Sequence, residues 1–94
     1  MFVVTVIFEV ERGQAGNFLK RVQKQAKDSL ELETGCHRFD VSVCTKEAER
    51  VLLYEFYDDA DAFAAHLDSD HFKSFDRDVS AITKSKEILS WTLT

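Results

Sequence analysis

The sequence predicts an α+β domain of the ferredoxin-like type, β-α-β-β-α-β, with a four-stranded antiparallel sheet and helices on one face. Three observations carry this reading. Apolar residues alternate with a period of two in four segments, the mark of strands. Between the first and second segments, and again between the third and last, they recur at helical spacing. Only the short charged run Lys46–Glu49 separates the two middle strands, so these form a hairpin. A chain of 94 residues makes one domain, spanning 1–94.

The first strand is Phe2–Val10. Its even positions are all apolar and its odd positions, Val3, Thr5, Ile7 and Glu9, mostly so, which implies a strand covered on both sides. Gly13 and Gly16 end the run. From about Gln14 to Glu33, Phe18, Leu19, Val22, Ala26 and Leu30 form one apolar stripe. Thr34-Gly35 closes this helix, with Gly35 expected in the left-handed cap conformation. In the second strand, 36–45, Phe39, Val41 and Val43 oppose Arg38, Asp40 and Ser42. In the third, 50–57, Leu52, Tyr54 and Phe56 share one face, and Val51, Leu53, Glu55 and Tyr57 the other. Asp58 or Asp59 can cap a helix through Phe63 and Leu67. Ser69 or Asp70 starts another, with Phe72, Phe75, Val79 and Ile82 in its stripe, so the second helix is broken in two. Ile88–Thr94 alternates as the last strand, with Leu89, Trp91 and Leu93 on one side.

Helices on one face leave the other sheet face open, yet strands one and three supply apolar residues to both. A second copy of the chain is the simplest cover, and a domain this small gains from the added burial. A homodimer is therefore expected.

Composition narrows the function. A hydrophobic fraction of 45% and an aromatic fraction of 12% are too high for a disordered chain. The formal charge of −5 opposes nucleic-acid binding, which needs a clustered basic face. Lys20, Arg21, Lys24 and Lys27 do gather on one helix, but Glu31, Glu33, Asp58, Asp59 and Asp61 offset them. The apolar N-terminus lacks a basic leader and the ~20-residue length of a membrane span, so no membrane association and a cytoplasmic location are expected. Cys36 and Cys44 stand eight residues apart on one strand, roughly 26 Å in extended chain, and are expected to be free thiols.

Three motifs in order, E33-T-G-C-H-R-F-D-V41, Y54-E-F-Y57 and H66-L-D-S-D-H-F72, resemble those of the antibiotic biosynthesis monooxygenase family. The resemblance covers nearly the whole chain. It implies a dimeric α+β barrel in which two sheets face each other, each subunit holding a pocket between its sheet and helices. It also implies an oxidoreductase that oxidises a small quinol or phenol with dioxygen, without metal, flavin or other cofactor. A haem-degrading branch of the family has an iron-ligating His where Asp76 stands here. An isomerase branch, acting on a phosphorylated autoinducer sugar, is similar at R38-F-D-V41, Tyr54, Tyr57, His66 and His71. It departs at Lys27, aligned with a helix-one His, and at Phe72, aligned with a Tyr. A dimeric module that binds a small metabolite without turnover is a further alternative.

Within that frame His66 is the candidate catalytic base, since an imidazole can accept a phenolic proton near neutrality. Asp70, four residues on, could orient it; alternatively His66 is a junction residue that fixes the helix break by bonding backbone. Phe8, Phe39, Tyr54, Phe63, Phe72 and Trp91 are the candidate walls of a flat apolar cavity for a small aromatic ligand. Core packing is the competing role for Tyr54 and Trp91. His71, five residues from His66, is the wrong step for a shared helix face, and with His37 elsewhere on a strand no metal site is expected.

Overall fold

In a computed structural model, which describes residues 1–94, the chain runs β1 (Phe2–Val10), α1 (Ala15–Leu32), β2 (Cys36–Val43), β3 (Arg50–Tyr57), α2 (Ala60–Asp68), α3 (Asp70–Val79), a 3₁₀ turn (Ser80–Ile82) and β4 (Thr83–Thr92). The strands form one sheet in the order β2-β3-β1-β4, with each neighbouring pair antiparallel. The ferredoxin-like α+β order is the one expected. No helix is long and apolar enough to cross a membrane.

The core lies between sheet and helices. Val4, Val6, Phe8 and Val10 of β1 and Val51, Leu53 and Tyr57 of β3 meet Phe18 and Val22 of α1 and Phe75 and Val79 of α3. Even positions of β1 and odd positions of β3 share this face because Val6 pairs with Leu53 and Phe8 with Val51. Phe8, Phe18 and Phe75 join their rings at centroid distances of 4.8–6.3 Å, within the range where aromatic pairs attract.

The break between α2 and α3 is built from polar caps rather than from proline or glycine. The Asp59 carboxylate accepts from the Ala62 N–H at 2.8 Å and so starts α2. Ser69, in extended backbone (φ −72°, ψ 149°), works in both directions. Its hydroxyl donates to the His66 carbonyl at 2.7 Å and accepts from the Phe72 N–H at 3.2 Å, closing one helix and opening the next.

Two expectations change. Gly35 is not a left-handed cap, since α1 ends at Glu33 in extended backbone (φ −112°, ψ 112°) and the only positive φ is that of Gly13, 81°. Its role is close approach: a Cβ there would lie 2.8 Å from Ala62 Cβ. Gly35→Ala is accordingly expected to push α2 off the sheet and lower stability by about 1–2 kcal/mol, measured by urea unfolding. β4 begins at Thr83 rather than Ile88; its first residues, T-K-S-K-E, are mostly exposed and so carry no apolar alternation.

The helix-free face carries half-exposed apolar side chains. Val3, Thr5 and Ile7 of β1, Leu52, Tyr54 and Phe56 of β3, and Leu89 and Trp91 of β4 lie together there, aligned by the pairings Thr5↔Tyr54, Thr5↔Leu89 and Val3↔Trp91. Leu89 and Trp91 are 44% and 51% exposed. No helix packs on this side, and nine of the ten residues of β4 are exposed.

Candidate functional site

The sheet supplies the floor of a cavity and the broken helix its roof. Val6 and Phe8 of β1, Phe39 of β2 and Leu53 of β3 line it from below. Phe63, His66 and Leu67 of α2 and Phe72 and Phe75 of α3 line it from above, and Lys86 and Ile88 of β4 form its rim. The cavity measures about 30 Å³, room for one or two water molecules, and is walled mainly by aromatic and aliphatic side chains.

His66 is its central polar group. It is 3% exposed and set among four rings, stacked on Phe63 at 5.9 Å and tilted against Phe72, Tyr57 and Phe39 at 5.0, 5.3 and 6.1 Å. Its Nδ1 lies 2.8 Å from Glu33 Oε2. A carboxylate only accepts, so Nδ1 carries a proton, and in the neutral imidazole Nε2 keeps its lone pair. Nε2 has no hydrogen-bond partner in the chain. The imidazole is thereby held as an oriented base, and the orienting group is Glu33 at the end of α1, not Asp70.

His71 joins the same carboxylate, its Nε2 lying 2.9 Å from Glu33 Oε2 but off the line of a hydrogen bond; its Nδ1 faces Gln25 Oε1 at 3.3 Å. On an unbroken helix residues five apart point about 140° away from each other. The turn at Ser69 removes that divergence and brings the His66 and His71 rings to 6.0 Å.

Glu55, on the floor, is the residue that pattern reading passed over. It is 2% exposed and accepts the Tyr57 hydroxyl at 2.5 Å. Burial raises its carboxyl to about 7, against the opposing pull of the Tyr57 hydrogen bond and the His66 charge. Tyr57 is itself driven far up, first by burial and then by the Glu55 charge, so it is a donor and not an acid at any working pH. Cys36 nearby is pushed up to about 11 by burial and by Glu33 and Glu55, which keeps it an unreactive thiol. Both cysteines are free.

The six expected wall residues are split between the two faces of the sheet. Phe8, Phe39, Phe63 and Phe72 line the cavity with His66. Tyr54 and Trp91 do not: they lie on the helix-free face around a separate shallow hollow with Val3 and Thr5. The cause is strand parity, for Tyr54 is one residue from Glu55, and Trp91 pairs with the outward Val3. Trp91 Nε1–H donates to Thr5 Oγ1 at 2.9 Å. Arg38 lies 5.5 Å from the ring centres of both Tyr54 and Phe56, and its guanidinium pairs with Asp40 at 2.7 Å. His37 is outside both groups, bound to Asp58 at 2.5 Å on the surface. Lys27 is exposed, whereas Gln25 is the α1 residue turned inward.

The model of the family described as antibiotic biosynthesis monooxygenase matches residues 1–78. No curated protein matches the sequence. Solved structures share the fold. A protein from Nitrosomonas europaea, provisionally described as an antibiotic biosynthesis monooxygenase, superimposes with a TM-score of 0.94 at 22% identity, over 99% of this chain and 98% of its own. One from Caulobacter crescentus CB15 with the same description gives 0.94 at 20% identity, over 99% and 89%. A Bacteroides thetaiotaomicron VPI-5482 protein of unknown function, noted as a possible oxidoreductase, gives 0.90 at 16% identity, over 98% and 96%.

Proposed function

From the premise that the chain belongs to the antibiotic biosynthesis monooxygenase family, we propose that it oxidises a small quinol or phenolic compound with dioxygen, without a cofactor, and acts as a homodimer. The observation that supports this most is the held imidazole. His66 has one nitrogen committed to Glu33 and the other facing a largely apolar cavity. Such a site removes a phenolic proton and keeps the resulting anion from water, where its electrons are most available to dioxygen.

A ring does not fit the closed cavity. Substrate entry displaces the rim, where Leu67 and Ile88 are 39% and 46% exposed and so have room to turn. Lys86 stands at this rim with its ammonium 5.7 and 5.9 Å from the Phe8 and Phe72 ring centres. It is the only cationic residue lining the cavity, and its charge favours a phenolate over a phenol. The isomerase alternative loses support, because Lys27, at the position aligned with that branch's helix-one His, faces away from the site.

The reaction is tested by oxygen uptake with a panel of quinols and phenols, with incorporation from ¹⁸O₂ read by mass spectrometry. Uptake with label in the product supports the proposal. No uptake, combined with a melting temperature still raised by one of the compounds, reassigns the chain as a binding module without turnover.

The dimer follows from the helix-free face. Burying the half-exposed side chains Leu89, Leu52 and Trp91 contributes on the order of 1 kcal/mol each, and the rest of the face adds to that against the cost of association. Leu89→Arg is expected to give a folded monomer at micromolar concentration by sedimentation. A wild-type chain that sediments as a monomer there would remove the assembly from the proposal.

A further inference from the structure

We propose that Glu33 is the proton exit of this site, passing the proton received by His66 from the apolar cavity to a second, water-open groove on the other side of the helix break. The proposal takes the source of that proton from the monooxygenase reading, but the path itself is a property of the resting protein.

The need arises from burial. A His66 that has taken a proton at Nε2 must lose one before it can act again, and most of the residues around its cavity are apolar. Glu55 offers no way out: its Tyr57 partner is fully buried and the pair ends inside the core. Glu33 does offer one. Its Oε2 touches His66 Nδ1 at 2.8 Å, and its side chain, 13% exposed, also lines a polar groove of about 450 Å³ with Gly35, Asp58, Ala62, Ser69 and His71. Among the lining residues Glu33 is thus in contact with the buried base and with water at once. His71 Nε2 lies 2.9 Å from the same oxygen, buried and without a hydrogen bond of its own.

The step balances as a proton transfer alone. The substrate O–H bond breaks as Nε2–H forms, Nδ1–H breaks as the Glu33 carboxylic O–H forms, and that proton leaves to water in the groove. His66 returns to neutral imidazole with its proton on Nε2, and the starting tautomer is restored when Nε2 gives that proton to the departing product and Glu33 hands one from the groove back to Nδ1. No electrons pass along this path.

The test needs no substrate. Long-range ¹H–¹⁵N NMR on the unliganded protein reads the His66 tautomer, and saturation transfer from water reads the exchange of its Nδ1 proton. In Glu33→Gln the amide oxygen still accepts from Nδ1–H, so the tautomer is expected to remain while exchange slows by about tenfold or more. Glu33→Asp, which keeps a carboxylate, is expected to exchange at an intermediate rate and serves if the Gln variant does not fold. Unchanged exchange in either variant overturns the relay, and loss of the tautomer in Glu33→Gln reduces Glu33 to a positioning role and overturns it too. A protein that oxidises no quinol yet shows Glu33-dependent exchange keeps the relay and loses the monooxygenase reading.

Discussion

Quinol-dependent oxygen uptake is expected to fall by a factor on the order of 10²–10⁴ when His66 becomes Ala or Gln, the usual contribution of a general base. The two variants separate chemistry from packing. Alanine empties a space bounded by four aromatic rings and strands the Glu33 carboxylate, so part of its loss comes from a loosened roof. Glutamine fills most of that space and can still donate to Glu33, yet has no basic nitrogen. A Gln variant with wild-type melting and a collapsed rate identifies His66 as the proton acceptor. A Gln variant with an unchanged rate rejects it and turns attention to Glu55 across the cavity. A change confined to KM would instead mark His66 as a wall of the binding site.

Glu55→Gln is expected to raise stability in the alkaline range by about 3 kcal/mol. The carboxyl titrates near 4.5 when the chain is unfolded and at about 7 when it is folded. Between those values the folded state holds a proton that the unfolded state has released. Its contribution is therefore fully present below pH 4.5 and is lost as pH rises through 7, where the native state must carry a charge 2% exposed. Glutamine stays neutral throughout and can still accept the Tyr57 hydroxyl. Urea unfolding at pH 4.5 and pH 8.5 checks this: the two proteins should agree at the lower pH and diverge at the higher. Parallel curves would show that Glu55 titrates alike in the folded and unfolded chain, solvated better than its burial indicates. If Glu55 also takes part in turnover, its titration adds an ionisation close to neutrality to the rate profile.

Much of the fold was legible because each element repeats a simple rule along the chain. The alternation of β1 and β3, the stripe of α1 and the caps at Asp59 and Ser69 are all local signals, and each is realised. What failed was information held between elements. Phe8, Phe39, Phe63 and Phe72 line one cavity with His66, whereas Tyr54 and Trp91, which residue type alone groups with them, lie on the other face. For Tyr54 the signal was present: it occupies the face opposite Glu55 and Tyr57 in β3. For Trp91 it was absent, since only the β1–β4 register, Val3 against Trp91, fixes its side. Glu33 was invisible as a partner of His66 because 33 residues separate them and no periodicity links a helix end to a distant helix break. Glu55 left a trace, a charged residue in the apolar register of a strand, and a buried carboxylate in that position is a reason to suspect function.

The strict parity of β3 has an evolutionary corollary. One strand hands its odd residues to the core and the candidate cavity and its even residues to the proposed subunit contact, so loss or gain of a single residue within it would exchange the two sets in one event. Leu52, Tyr54 and Phe56 would turn toward the roof while Glu55 faced a neighbouring copy. Length variation among relatives should therefore be confined to the 44–49 connection and shun the strand itself, and the two surfaces can diversify only by substitution, each on its own half of the alphabet of positions.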